Sequence, residues 1–379
     1  MSEVIIHKVN GKADLKRFIE FNYSLYRNCP NAIPDLYSSL VDTFTPEKNA
    51  GYEFSEVQPF IAWRGTKVVG RIVAIINRKA NEKWNTQTVR FGWIDFVDDE
   101  EVSRALLETV EQWGRERGMN NVQGPLGITD LDKEGMLVEG FDEMGTLNGI
   151  YNYAYYPRHL EKLGYVKDVD WLEMHVLIPN PPLERHARLS KMVQQRYNVS
   201  VLEMNGSKEL VTKGYGKQIL ELINKSYKNL YGFSELTIRQ IDEYVKTYIP
   251  MLDHRLVCLI VDNATKQLVG CGVSMPSLGR ALQKAHGRLL PFGWFHLLKA
   301  LKWKHSDTVE LMLIGVDPEY QNKGINAIIF QTLIERYNRL GFVWANTDYM
   351  LESNTKVLAE WKAMEHRVSK RRRCYTKEL

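Results

Sequence analysis

The spacing of apolar residues changes period many times along the chain, and each change marks an expected element. In the first half a strand at 4–8 and a helix over 12–27 precede "PFIAWR" and "KVVGRIVAIIN", two apolar runs hinged at Gly65 as in a β-hairpin. "RFGWIDFV" reads as the next strand. The helix that follows, about 100–117, sets Val102, Leu106, Val110 and Trp113 on one side and stops at Gly118. The strand "NNVQGPL", a long loop, a short helix in "AYYPRHLEKLGY" ending at Gly164 and a closing strand "WLEMHVLI" lead to the break "PNPP" at 179–182.

Beyond that break the order of elements returns. A strand "VSVLEM" precedes helices across 208–229 and 235–248, then "RLVCLIVDN" and "QLVGCGVSM" hinged at "NATK", and the strand "TVELMLIGV". A helix to about 340, "FVWANTDYM", a helix from Asn354 and a last strand through "RRRCY" complete the chain. The two halves share an order of elements but no sequence period, which points to an ancient duplication and not to a solenoid. The boundary falls at a linker, 179–185, giving units at 1–178 and 179–379.

Composition narrows the classes. With 379 residues, 44% of them hydrophobic, the chain is large enough for two cores and too apolar for disorder. Fifty Lys and Arg against 46 Asp and Glu leave a balance of +4, too weak to imply nucleic acid, and the basic run "SKRRRCYTK" fits a terminal strand with exposed charges. Cys29, Cys258, Cys271 and Cys374 are scattered without a C-x-x-C pair, so neither a zinc site nor a redox pair is expected, and no metal cofactor. The N-terminus lacks a secretory core and no run of ~18 apolar residues exists to cross a bilayer. The expected location is the cytoplasm, with no stable membrane anchor.

The most informative segment is "VDPEYQNKGINAIIF", 316–330: a strand end, a polar run with one glycine, then an apolar-periodic helix. A helix N-terminus with a bare glycine loop favours an anion, because the first-turn N–H groups lack partners and sit at the positive end of the helix dipole. The pattern V-x-P-x-x-Q-x-x-G-x-N-A at this junction resembles the acyl-CoA binding motif of the GNAT superfamily of N-acyltransferases, and the family's order of elements continues through about 250–379. The resemblance implies an α+β fold of two tandem GNAT-like domains, each a mixed, mostly antiparallel twisted sheet flanked by helices. It also implies acetyl-CoA or another acyl-CoA as co-substrate, with Gln321, Asn322, Lys323, Gly324, Ile325 and Asn326 cradling the pyrophosphate and Ile314, Val316 and Asn354 completing the site. Two residues depart from the family pattern: Asn326 stands where it prefers Gly or Ala, and Trp361 where many members carry a tyrosine that protonates the leaving thiolate.

For catalysis, strand alternation puts Glu310, Met312, Ile314 and Val316 on one face, and family members that use a glutamate base resemble this placement of Glu310. A carboxylate in an apolar strand has its pKa raised toward a useful value. Asp348 and Tyr349 on the neighbouring strand are the alternatives. The implied reaction is transfer of an acyl group, acetyl by preference, from CoA to a small-molecule or peptide amine. Two rivals stand beside it: aminoacyl or long-chain acyl transfer on the same frame, and a catalytically inactive acyl-CoA-binding module. In the first half, "DFVDDEEVSRAL" puts four carboxylates at the equivalent helix start, where they would repel a pyrophosphate. "NYAYYPRHLEKLGY", opened by Asn152, nevertheless resembles a second GNAT segment, so the first half is expected to keep the fold without the cofactor. The loop 124–156, with Asp130, Asp132, Glu139 and Asp142, is the expected wall of an acceptor cleft. The stretch 280–305 reads as a helical insert, packed on its own protein or lying at an interface. Acceptor, acyl group and oligomeric state are not encoded in any pattern.

Overall fold

The computed structural model describes residues 2–303 and 305–379. Its strands are β1 (Val4–Lys8), β2 (Ser55–Arg64), β3 (Lys67–Asn77), β4 (Thr88–Phe96), β5 (Asn121–Gly124), β6 (Met136–Glu139), β7 (Val166–Leu177), β8 (Val199–Val201), β9 (Val257–Asp262), β10 (Leu268–Pro276), β11 (Thr308–Val316), β12 (Trp344–Asn346), β13 (Met350–Leu351) and β14 (His366–Glu378). They form one continuous sheet in the order β1-β2-β3-β4-β5-β14-β7-β12-β11-β10-β9-β8, with β6 on β14 and β13 on β7. Only β4–β5 and β11–β12 pair in parallel. The sheet is mixed, mostly antiparallel and helix-flanked, an α+β architecture as the family resemblance implies.

The centre of the sheet depends on long-range pairing. β14, the last strand of the chain, lies between β5 of the first half and β7, while β7 pairs with β12 of the second half. Each half therefore completes its sheet with a strand from the other. The boundary at 179 divides the sequence but not the hydrogen-bonded sheet.

Around β9 to β11 a helix covers each face. The helix Ile325–Leu340 buries Ile325, Ile328, Ile329 and Leu333 against the sheet, and the helix Tyr215–Tyr227 buries Ile219, Leu222 and Ile223 on the other side. Burial of each such aliphatic side chain is worth about 1.5–3 kcal/mol. The first of these helices sits so close that a Cβ on Gly270 or Gly272 would come within 2.8 Å of Ile325 or 2.6 Å of Ile329. Glycine at those two strand positions allows the helix to lie down.

Several elements differ from the sequence expectation. The run 208–229 is two helices, Glu209–Thr212 and Tyr215–Tyr227, and 280–305 is likewise divided, into Gly279–Ala285 and Gly293–Lys302, with Lys304 outside the described residues. The last strand begins at His366, earlier than "RRRCY", because Ser369, Lys370 and Arg372 are buried polar residues that read as surface in a hydropathy pattern. Short helices at Tyr37–Thr43 and Arg78–Trp84 carry too few apolar turns to show a period.

Candidate functional site

The junction that follows β11 gathers backbone N–H groups without acceptors. Asp317 caps a single 3₁₀ turn, Pro318–Tyr320, by accepting from Glu319 N at 3.0 Å. The chain then alternates into the left-handed region at Asn322 (φ 61°) and Gly324 (φ 84°) before the helix starts at Ile325. That alternation turns successive N–H groups outward as a nest. Among the described residues, the N–H groups of Asn322, Gly324, Ile325 and Asn326 have no acceptor. Lys323 Nζ lies over the rings of Tyr320 and Tyr197, 4.8 and 5.3 Å from their centroids. A second cation, missed in sequence, is Lys356, which reaches Asn322 Oδ1 at 3.3 Å from the next helix. The reason for glycine at 324 differs from the close ligand approach that the loop suggests. The residue is left-handed, and a Cβ there would meet Val193 Cγ2 of the helix Glu184–Tyr197 at 3.0 Å.

β11 leads from this loop to a splayed vertex. It pairs with β12 over only three residues, Thr308↔Trp344 to Glu310↔Asn346, and from there to Val316 keeps only its partner β10. The register with β10 skips Met312, a bulge between Leu311 and Leu313. This corrects the simple alternation. Ile314 and Val316 join Val309 and Leu311 against the core under Ile325–Leu340, whereas Met312 and Leu313 pack on the opposite face, with the helix Tyr215–Tyr227. Asp317 N bonds Val269 O of β10, so by the two-residue repeat Gly315 also faces β10 while Ile314 and Val316 turn N–H and C=O to the splayed edge. Their carbonyls there accept from Tyr227 Oη at 3.1 Å and Ser226 Oγ at 2.9 Å.

Two carboxylates stand at the vertex. Glu310 is 4% exposed, and both of its oxygens are engaged, one by Ser277 Oγ at 2.6 Å and the other by Leu147 N at 2.9 Å. Burial raises its pKa, and the two hydrogen bonds oppose the rise. Asp348 lies in the irregular stretch between β12 and β13 and not on a strand. It is partly reached by solvent, accepts from Asn148 Nδ2 at 3.3 Å and Tyr349 N at 2.9 Å, and burial pushes it up to about 7, with Glu173 and Glu310 adding to the rise. Tyr349 turns away: its hydroxyl donates to Asp132 O at 3.3 Å, its ring packs on Trp171, and burial lifts its pKa far above the phenolic range.

The first half supplies one wall. Glu173 on β7, ion-paired with Lys370 and Arg372 of β14, accepts from Thr146 Oγ1 at 3.1 Å, and Arg372 donates to Ile150 O. The turn between these anchors delivers Leu147 N to Glu310 and Asn148 to Asp348. The glycine-punctuated loop 124–156 does reach the site, but not through the acids that the sequence highlights. Asp130 is held by Ser234 and Arg90, Asp132 caps Thr129 N at 2.9 Å, and Glu139 pairs with Arg371. Asn354 caps its own helix by accepting from Val357 N at 3.3 Å, and Trp361 is a core residue, edge-on to Phe330 with its indole N–H on Met350 Sδ. Asn326 Nδ2 reaches Glu360 at 3.4 Å. Leu147, Asn148, Ser277, Tyr227 and Lys356 escape sequence reading because their roles rest on contacts across the two halves or between successive helices.

In the first half, the equivalent helix Glu100–Arg115 is closed at its start. Asp99 accepts from Glu101 N, Arg64 pairs with Asp99 and Glu101, and Lys162 pairs with Glu100. A cavity of about 760 Å³ opens elsewhere in that half, lined by Tyr26, Arg71, Asp95 and, from the insert, Arg280 and Arg288. Its three carboxylates are each paired with a cation: Asp95 with Arg71, Asp35 with Lys133 and Glu20 with Arg288.

Comparison with known proteins agrees with this geometry. Residues 216–359 match the Acetyltransferase (GNAT) family. Over the whole chain the fold resembles a tandem GNAT protein from the clavulanic acid biosynthesis pathway, at 12% identity and TM-score 0.56, covering 99% of this chain and 98% of that one. A GCN5-related N-acetyltransferase from Sphaerobacter thermophilus aligns with TM-score 0.51 at 13% identity, over 99% and 95% of the two chains. Residues 216–359 thus carry the match to the GNAT acetyltransferase family, and the chain as a whole shares the fold of a tandem GNAT protein. Its sequence relatives include Protein YghO of Escherichia coli, 29% identical over 97% of this chain and 94% of that protein. A bacterial ceramide synthase of Caulobacter vibrioides is 28% identical over 84% of this chain and 82% of that protein.

Proposed function

We propose that the chain is an acyl-CoA-dependent N-acyltransferase whose single cofactor site lies in the second half. The observation that carries this reading is the nest of unpartnered N–H groups at Asn322 to Asn326, joined by a splayed strand edge to a carboxylate pair. The nest, with Lys323 and Lys356, suits a pyrophosphate, and the N–H groups of Ile314 and Val316 on the splayed edge suit the carbonyls of the cofactor's amide-bearing arm. The closed start of Glu100–Arg115 is the reason for assigning one site per chain and for treating 1–178 as a GNAT-like unit without cofactor.

The bound thioester supplies an activated acyl carbon. Attack by the amine forms the amide C–N bond and breaks the C–S bond, and the amine must shed a proton. Of the two vertex carboxylates, Asp348 is the better acceptor for that proton, because it is water-accessible and held near neutrality. Glu310, the expected base, is 4% exposed and acts in this reading by fixing Ser277 and the Leu147 turn. The thiolate takes a proton from water, since Trp361 offers none. CoA thioesters are made and used in the cytoplasm, which supports that location.

For chain length, one structural feature favours the long-chain alternative over acetyl transfer. Met275, Leu278 and Leu282, with Leu147 and Met312, form an apolar cluster directly behind Ser277 and Glu310. A ceramide is a long-chain amino alcohol acylated on nitrogen, so the relative named for its synthesis supports the same reading. The test is thiol release from acetyl-CoA and palmitoyl-CoA, each with sphinganine or a short primary amine. Turnover confined to the palmitoyl donor and long-chain amine is the expected result. Turnover with acetyl-CoA and the short amine alone would return the reading to acetyl transfer, and no turnover with any pair would favour a binding module.

A further inference from the structure

The insert between β10 and β11 presents a face that the site does not use. The helix Gly293–Lys302 packs on the protein through Leu297, Ala300 and Leu301, over the cluster of Met275, Leu278 and Leu282. Its opposite side and the turn before it expose Leu289, Leu290 (79%), Phe292 (74%), Trp294, Phe295 and Trp303 (64%). These side chains group together: Phe295 lies 6.0 Å from Trp303 and 6.1 Å from Trp294, ring to ring. The turn is built firmly, with Trp294 Nε1 on Pro291 O at 3.1 Å and no room for a Cβ at Gly293. A contiguous aromatic patch of this kind on a folded surface marks an interaction site.

Charge selects the partner. From Asn263 to Ser306 the sequence contains no Asp or Glu, while 280–304 carries Arg280, Lys284, Arg288, Lys299, Lys302 and Lys304. Among the described residues Glu20 is the one carboxylate from another element that pairs with a cation of this stretch, Arg288, at 3.0 Å. Lys299 and Lys302, which flank the aromatic side chains, have no acidic partner among the described residues. A second copy of the chain is a poor occupant, because a two-fold contact would set these lysines against themselves. Tryptophan and phenylalanine beside lysines on one helix face suit the headgroup level of a bilayer.

We infer that residues 289–303 dock the protein reversibly on the surface of a membrane carrying anionic phospholipids, with Leu290, Phe292, Trp294, Phe295 and Trp303 entering the headgroup region and Lys299 and Lys302 facing the lipid phosphates. This is peripheral binding: no described helix is long and apolar enough to cross a membrane. It rests on the insert alone and holds whichever amine the enzyme acylates. The inner side of the same insert abuts the apolar cluster behind Glu310, so docking would bring that cluster close to lipid.

Co-sedimentation of the full chain with vesicles tests it. The protein should pellet with phosphatidylcholine–phosphatidylglycerol vesicles, release as salt is raised, and bind phosphatidylcholine alone at least about tenfold more weakly. Each cation near such a surface contributes about a fivefold factor, so Lys299→Glu with Lys302→Glu should lower partitioning by at least about 25-fold. Leu290→Ser with Phe292→Ser and Trp303→Ser should abolish it, with an unchanged melting temperature showing that the fold survives. Absence of vesicle binding by the wild type, or full binding by both variants, overturns the proposal. So does a dimer in sedimentation velocity that the serine variant dissolves while vesicles recruit neither protein, which would make the patch a homodimer contact.

Discussion

At the scale of single residues, the vertex separates two carboxylates that the sequence could only name together. Asp348 has its pKa raised from 3.8 to about 7 by burial, so its ionised form costs stability that accrues as pH climbs from about 4 and is complete above about 7. Asp348→Asn should therefore stabilise the fold, by an amount that grows over that window and is bounded by about 1.4 kcal/mol for each tenfold change in proton affinity. It should also cost ~10²–10⁴ in acyl transfer and remove the rising limb of the pH–rate profile near 7. Melting curves at pH 4 and 8 beside a pH profile of the variant check both signs; an unchanged limb would take the proton-accepting role away from Asp348. Glu310→Gln should behave in the opposite manner. An amide there can keep its oxygen on Leu147 N and turn its NH₂ to Ser277, whose hydroxyl then accepts and loses its carboxylate partner, at a cost of about 1 kcal/mol. A lower melting temperature with the pH limb retained is the expected outcome, and a lost limb at full stability would reinstate Glu310 as the base.

At the scale of elements, the strand–loop–helix unit 308–340 combines two demands. The loop must leave N–H groups free, and the helix behind it must lie flat on glycines 270 and 272 while packing against Glu184–Tyr197. Gly324 answers to the second demand as much as to the first, so Gly324→Ala should lower the melting temperature through its φ of 84° and the 3.0 Å approach to Val193. A cleaner probe of the anion site is Lys356→Glu, on an exposed side chain 3.3 Å from Asn322. Reversing one charge near a pyrophosphate should weaken CoA binding by about tenfold or more, since even in water unit charges at ~4 Å interact by ~1 kcal/mol and in a cleft by several times that. Calorimetric titration reads the affinity together with the stoichiometry, for which the value expected is one CoA per chain. Undiminished affinity in this variant would move the phosphates away from the loop.

At the scale of the whole molecule, the two halves are tied by their last strands. β14 completes the sheet beside β5, and its Arg372 and Lys370 form buried ion pairs with Glu173 of β7. Removing one partner of a buried pair is worth about 3–5 kcal/mol. Deleting 366–379 should thus unfold both halves, and fragments 1–178 and 179–379 should fail to fold apart yet recover structure when mixed. Circular dichroism of each fragment and of the mixture would show it; a cooperative melt from 1–178 alone would demonstrate an autonomous first domain. The same linkage explains the site, because the Thr146–Ile150 turn is anchored on Glu173 and Arg372 and carries Leu147 and Asn148 to the second half's carboxylates.

What the sequence determined by itself was local. Apolar period located most strands and the long helices, the glycine, proline and polar run of 316–330 marked the strand–loop–helix junction with its free N–H groups, and the four carboxylates at 98–101 accounted for the closed helix start in the first half. Each of these is a property of a few neighbouring residues, set by backbone sterics, hydrogen-bonding needs and the helix dipole. Only the tertiary structure decided the crossing of β7 and β14, the bulge at Met312 that turned Ile314 and Val316 to the other face, and the different surroundings of Glu310 and Asp348. Those outcomes depend on pairings between residues far apart along the chain and on how much water each carboxylate keeps, and neither quantity is written in the order of the residues around it.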